Sequence, residues 1–194
     1  AETGEYSLTG AGENIWSDSD EFHFLSLRVE GDFIMRARVR FTGEGVNPHR
    51  KMGIMLRDSL IGPAAHVSAV VHGDGLSSLQ YRPKEGGETE EVKTTVSGPG
   101  IIQLERRGDT FIFSCAAEGD PFTSVEVTGL PLKEKAKLGL FICSHEADVK
   151  ETAIFDNVRL VIPAPSDFVP YQDYIGSHIE ILDIQSRKRE IIHS

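Results

Sequence analysis

Three short segments carry the residues best suited to chemistry. In KMGIMLRD (51–58), HVSAVVH (66–72) and LSSLQYR (76–82), apolar residues alternate with Arg57, His66, Gln80 and Arg82. Successive side chains of a strand point to opposite faces, so each segment has an apolar face and a face mixing Arg, His, Ser and Gln. If the three strands are neighbours, Arg57, His66, Gln80 and Arg82 share one sheet surface. Planar guanidinium and amide groups offer several donors to hydroxyls, and an aromatic ring stacks on the apolar face of a sugar. Trp16, the only tryptophan, lies in NIWSDSDEFHF beside Asp18, Asp20 and His23 and is the candidate platform. The same pattern also describes a solvated sheet face with charges paired across strands, and Trp16 also suits a core.

Other chemistries find less support. The sequence has no GxSxG elbow, HExxH, P-loop, GxGxxG or EF-hand loop. SDSDEFH supplies Asp18, Asp20 and Glu21 as oxygen donors, but lacks the glycine and terminal Glu of an EF-hand loop, so solvated carboxylates are expected rather than calcium. His23, His66 and His72 have no HxH or HxxxH spacing, and no metal or cofactor is expected. A retaining glycosidase needs two carboxylates roughly 5 Å apart. In IEILDIQ, Glu180 and Asp183 fall on opposite strand faces and Gln185 stands where a second acid would be required. No catalytic residue is assigned.

The elements that position these residues are strands. Short, β-branched or aromatic runs are separated throughout by Gly, Pro, Asn or Asp. Strands are expected near 6–8, 21–29, 33–41, 51–58, 66–72, 76–82, 90–96, 101–106, 110–117, 124–128, 138–144 and 152–162, with the firmest hairpin at RRGDT (106–110). LPLKEKAKLG (130–139) offers one or two helical turns at most. In FIMRARVRF, Arg36, Arg38 and Arg40 oppose an apolar face, and their expected partners are the chain's own acids, among them GGETEEVK (86–93). The pattern predicts an all-β fold of two packed antiparallel sheets, a sandwich or jelly roll.

Over 194 residues, 39% are apolar, and 30 acidic against 20 basic residues give a net charge of −10. This length buries a core unaided, and the charge argues against nucleic acid or an anionic membrane as partner. No apolar run reaches the roughly 20 residues that span a bilayer. Cys115 and Cys143 sit in apolar strand-like runs, as buried small hydrophobes or as a cross-strand disulfide. AETGEYSL lacks the basic-then-apolar opening of a signal peptide. Organisation changes after residue 162: Pro163, Pro165 and Pro170 mark 163–170 as a linker, and 171–194 forms a tail. Its strands, IEILDI and REII, cannot stand alone in water and read as the opening of a further domain.

Taken in order, IWSDSDEFHF, GDFIMRARVRF, KMGIMLRDS, AHVSAVVHGDG and LQYRP resemble the concanavalin A-like lectin/glucanase superfamily. More narrowly they are similar to its bacterial regulation-of-enolase-like branch. The resemblance covers roughly residues 6–162 and implies a two-sheet antiparallel jelly-roll sandwich over 1–162. It also implies a periplasmic or extracellular setting and a glycan as partner. Carried over by motif, the ligand-binding positions are Trp16, His23, Arg57, His66, Gln80 and Arg82. YIGSHIEILDIQSRKREII (174–192) resembles the first strands of a TolB-type β-propeller, which implies a propeller domain as a second partner. The expected function is a noncatalytic carbohydrate-binding module. The alternatives are a structural or protein-docking domain for a propeller, and a glycoside hydrolase or lyase.

Overall fold

A computed structural model describes residues 4–16, 20–164, 179–182 and 189–193. The chain divides into two units, 1–162 and 163–194. The first unit holds β1 (Tyr6–Gly12), β2 (His23–Glu30), β3 (Phe33–Thr42), β4 (Lys51–Arg57), β5 (His66–His72) and β6 (Ser77–Arg82). They are followed by β7 (Glu90–Lys93), β8 (Ile101–Arg107), β9 (Thr110–Ala116), β10 (Thr123–Val127), β11 (Lys135–Cys143) and β12 (Glu146–Val161). In the second unit, β13 (Ile179–Leu182) and β14 (Arg189–His193) pair as an antiparallel hairpin. The expected linker beyond Ala164, and the remainder of the tail, lie outside the described residues.

The twelve strands of the first unit form two six-stranded antiparallel sheets, ordered β1-β12-β3-β8-β9-β10 and β2-β11-β4-β5-β6-β7. Most hydrogen-bonded neighbours on one side of each sheet are distant in sequence, the connectivity of a jelly-roll sandwich. Alternation decides which residues enter the core. Phe33, Met35, Ala37 and Val39 of β3 meet Ile54 and Leu56 of β4, Val67 and Ala69 of β5, and Leu79 of β6 between the sheets. At roughly 25 cal/mol per Å² of apolar surface removed from water, this layer is the main stabilising term.

Two local expectations change. The segment around Lys135 is strand, because Ala136, Leu138 and Leu140 alternate into the core, and Leu130 and Leu132 are buried just before it. The arginine stripe of β3 pairs with acids other than GGETEEVK, whose β7 lies in the other sheet. Arg38 meets Glu118 at 2.7 Å, Arg40 meets Asp156 at 3.2 Å, and Arg36 sits 5.3 Å from the Phe122 ring centre. Cys115 and Cys143 are free and buried.

Candidate functional site

β4, β5 and β6 are consecutive neighbours in the second sheet, so the register can be read across them. Arg57 stands opposite His66, and His66 opposite Arg82, while Ser68 stands opposite Gln80. Arg57, His66, Gln80 and Arg82 therefore share the face turned away from the core. That face is not uniformly open. Residues 13–16, which follow β1, and residues 20–22 lie over it, held together by an Ile15–Asp20 bridge and by Glu21 N donating to Asn14 O at 2.8 Å. Ile15 and Phe22 pack there on Met55, Val70, Phe141 and Cys143, forming a second small apolar cluster.

Under this crossing, Asp20 is buried with the two arginines. Its Oδ1 accepts from Arg82 Nη2 at 2.8 Å, and its Oδ2 from Arg82 Nη1 at 2.9 Å and Arg57 Nη2 at 3.2 Å. Carbonyls of Ser59, Gly62 and Ala64 accept further guanidinium hydrogen bonds. The Asp20, Arg57 and Arg82 side chains are 1%, 2% and 0% exposed. His66 is equally buried, with Nδ1 beside Ser68 Oγ at 3.2 Å. Desolvation, then Arg82 and Arg57, hold its pKa well below the ordinary value. Arg57, His66 and Arg82 are brought together as expected of one face, but the carboxylate they meet is the chain's own. This corrects the view of them as ligand contacts: charges this deep need an internal partner, and Asp20 supplies it.

His23 also departs from the expected set. It belongs to edge strand β2 opposite Ile142, and its Cβ lies against Gly10 of β1, on the flank between the sheets rather than the outer face. Asp18 lies outside the described residues.

Beyond the crossing segment the outer face stays open. A cavity of about 340 Å³ there is lined by Trp16, Gln80, His72, Lys51, His49 and His145, with Asn14 and Glu91 at its sides. Trp16 and Gln80 thus reach one site, while the other partners were not singled out as ligand contacts. Lys51 shares the alternation that marks Arg57, and His72 that of His66. His49 and His145 are loop residues that only the fold brings here.

The polar geometry of the cavity is specific. Lys51 Nζ donates to Asn14 Oδ1 at 2.8 Å, and desolvation lowers the Lys51 pKa. Gln80 Nε2 donates to His72 Nε2 at 3.1 Å, which places the His72 proton on Nδ1. That nitrogen has no hydrogen-bond partner among the described residues. Desolvation, then Lys51, bring the His72 pKa to about 4, so the ring is neutral at pH 7. The His49 ring lies 6.3 Å from that of His72 and 5.8 Å from that of His145. Among the described residues no group of three or more His, Cys, Asp or Glu is arranged to hold a metal ion. A larger cavity of about 440 Å³ at the far end of β2 and β11 is lined by Arg28, Glu30, Asp58, Lys135 and Lys137. It has no aromatic platform, and Lys135 there already pairs with Glu30. On chemistry, the Trp16 cavity is the candidate site.

No family model matches the sequence, and no curated protein matches it. Among solved structures, the chain is similar to a functionally unknown protein from Saccharomyces cerevisiae, at 16% identity over 84% of this chain and 90% of that one, with a TM-score of 0.65. It is similar to the carbohydrate-binding module CBM66 from Bacillus subtilis, at 19% identity over 81% of this chain and 95% of that one, with a TM-score of 0.53. It is also similar to alginate lyase A1-II', of polysaccharide lyase family 7, at 15% identity over 81% and 78% of the two chains, with a TM-score of 0.50. At these identities the likeness is one of fold: the chain shares its two-sheet jelly-roll sandwich with a carbohydrate-binding module and a polysaccharide lyase.

Proposed function

We propose that this chain is a noncatalytic carbohydrate-binding module of an exported bacterial protein, with its site at the Trp16 cavity. The observation that carries the reading is the grouping of an indole, a neutral imidazole and the Gln80 amide around about 340 Å³. This size lies within the roughly 300–1,000 Å³ range of small-molecule sites. Neutral amides and imidazoles donate and accept, as sugar hydroxyls do, and the Trp16 ring supplies the apolar face. Arg57 and Arg82 serve this site from below, by holding Asp20. A hydrolytic or lyase role is less well supported, because Glu91 is the only carboxylate among the described residues that line the cavity. The export, the enolase-regulation branch and a β-propeller partner belong to the same proposal and rest on sequence resemblance.

Screening the full chain on a glycan array, followed by calorimetry, tests the proposal. Binding by the native chain is expected, with Trp16→Ala or Gln80→Ala lowering affinity at least about tenfold, a loss of about 1.4 kcal/mol. Absence of binding to every glycan by a folded chain would refute it.

A further inference from the structure

A free sheet edge and an open flank of the core coincide at one place. β1 begins at Tyr6, opposite Phe155, whereas β12 runs on to Val161. Beyond Phe155, β12 is paired with β3 through Arg159, Leu160 and Val161. No strand among the described residues pairs with its other side. The facing edge of the second sheet is β2, whose Leu25 and Leu27 point between the sheets yet are each 46% exposed. Between these edges lies a second cavity of about 340 Å³, lined by Tyr6, Leu25, Leu27, Met35, Val158 and Leu160 among others. An apolar cavity of about 150 Å³ holds one benzene, so this one has room for about two large apolar side chains.

Charge on the outer surface adds a separate constraint. Arg159 stands directly opposite Arg36, both are exposed, and neither has a carboxylate partner among the described residues. Like charges in that position repel, and Arg38 and Arg40 on the same strand do have acidic partners. A strand added beside β12 would send alternate residues into the apolar cavity and the others out beside Arg159. A second copy of β12 in that place would bring a further Arg159, with its own Arg36 on the neighbouring β3, to the pair already there.

We propose that the free edge of β12, residues 157–162, docks an extended segment of a partner protein in which apolar residues alternate with Asp or Glu. The partner's backbone continues the first sheet, its apolar residues close the flank over Leu25 and Leu27, and its acids neutralise Arg159 and Arg36. This inference goes beyond the glycan reading and uses a different part of the molecule.

The probe is a blocked peptide of alternating Leu and Glu, about seven residues long to match a typical strand, titrated into the full chain. Calorimetry should register binding, and hydrogen exchange should slow at residues 157–162. A matched Leu/Lys peptide should bind about fivefold more weakly, and Arg159→Glu, an exposed change, should invert that order. Trp16→Ala should leave the peptide affinity unchanged, which separates this proposal from the glycan site. Equal affinity for the two peptides, or none for either, would overturn it. So would exchange at 157–162 in the free chain already as slow as in β3, which would assign the edge to the chain's own residues. Concentration-dependent dimerisation through that edge would equally overturn it, in favour of a second copy.

Discussion

Replacing Asp20 by Ala should unfold the site's foundation before it touches any ligand. The carboxylate is 1% exposed and accepts from both Arg57 and Arg82, which are themselves 2% and 0% exposed. Removing one member of a buried ion pair costs about 3–5 kcal/mol, because the remaining charge is left without a counterion. Here both guanidinium groups lose their bonds to this carboxylate, while the carbonyls of Ser59, Gly62 and Ala64 go on accepting their hydrogen bonds. A loss of about 4 kcal/mol is therefore expected. For a chain of this size that lowers Tm by about 8–16 °C. Asp20→Asn keeps the shape and one acceptor oxygen but loses the charge, and should cost about 2–3 kcal/mol. Guanidinium chloride unfolding followed by circular dichroism, at pH 7, measures both. A loss below about 1 kcal/mol for Asp20→Ala would refute the reasoning, since an uncompensated buried charge cannot be that cheap. The triple change Asp20→Leu, Arg57→Met, Arg82→Met supplies the control. With all three charges gone it should recover most of the stability lost in Asp20→Ala, because apolar replacement of a buried ion cluster is often neutral or better.

Acidification should destabilise the fold through its buried imidazoles. Burial holds His66 well below its ordinary pKa and His72 at about 4, whereas in the unfolded chain both titrate near 6.5. The unfolded state thus takes up protons first, so this stability is fully present above about pH 6.5 and falls as the pH drops, by about 1.4 kcal/mol per pH unit for His72 as the pH nears 4. Urea unfolding at pH 7, 6 and 5 should record that slope, and His72→Gln should reduce it; an unchanged slope would contradict the burial of His72. Gly53 lies on the outer face of β4, where an added Cβ would meet Ala69 O at 1.9 Å and the Phe141 ring at 2.9 Å. Gly53→Ala should therefore cost about 1–3 kcal/mol by overpacking, visible as a lower denaturation midpoint with an unchanged m-value.

Period-two alternation made the sandwich legible in the sequence. It placed β5 at His66–His72 and set Arg57, His66, Gln80 and Arg82 on one face, because sidedness along a strand is a local property. It could not show what covers that face. Asp20 is far from Arg82 in sequence, and only the placement of residues 20–22 over the sheet brings the carboxylate to the guanidiniums. A polar residue on an outward face therefore looks the same whether it faces water, a ligand or a buried countercharge. His49 and His145 were not legible at all, since they come from separate loops, with the His49 ring near those of both His72 and His145. Lys51 was legible in principle, because it alternates with Arg57 along β4.

The crossing segment accounts for both what the face conceals and what it offers. Where it passes, an outward face that would otherwise expose Met55, Val70 and Phe141 beside two arginines becomes a second small core. Where it ends, Asn14 and Trp16 become walls of the open cavity. Asp20 anchors the covered end through Arg57 and Arg82, and Asn14 anchors the open end by accepting from Lys51 Nζ at 2.8 Å. Trp16 lies between these two polar anchors in sequence, so the placement of the proposed sugar platform depends on the buried Asp20 as well as on Asn14 at the cavity wall. Substitutions at Asp20 should consequently weaken glycan binding together with stability. Trp16→Ala should weaken binding while leaving most of the stability in place, and that separation distinguishes a ligand contact from the foundation beneath it.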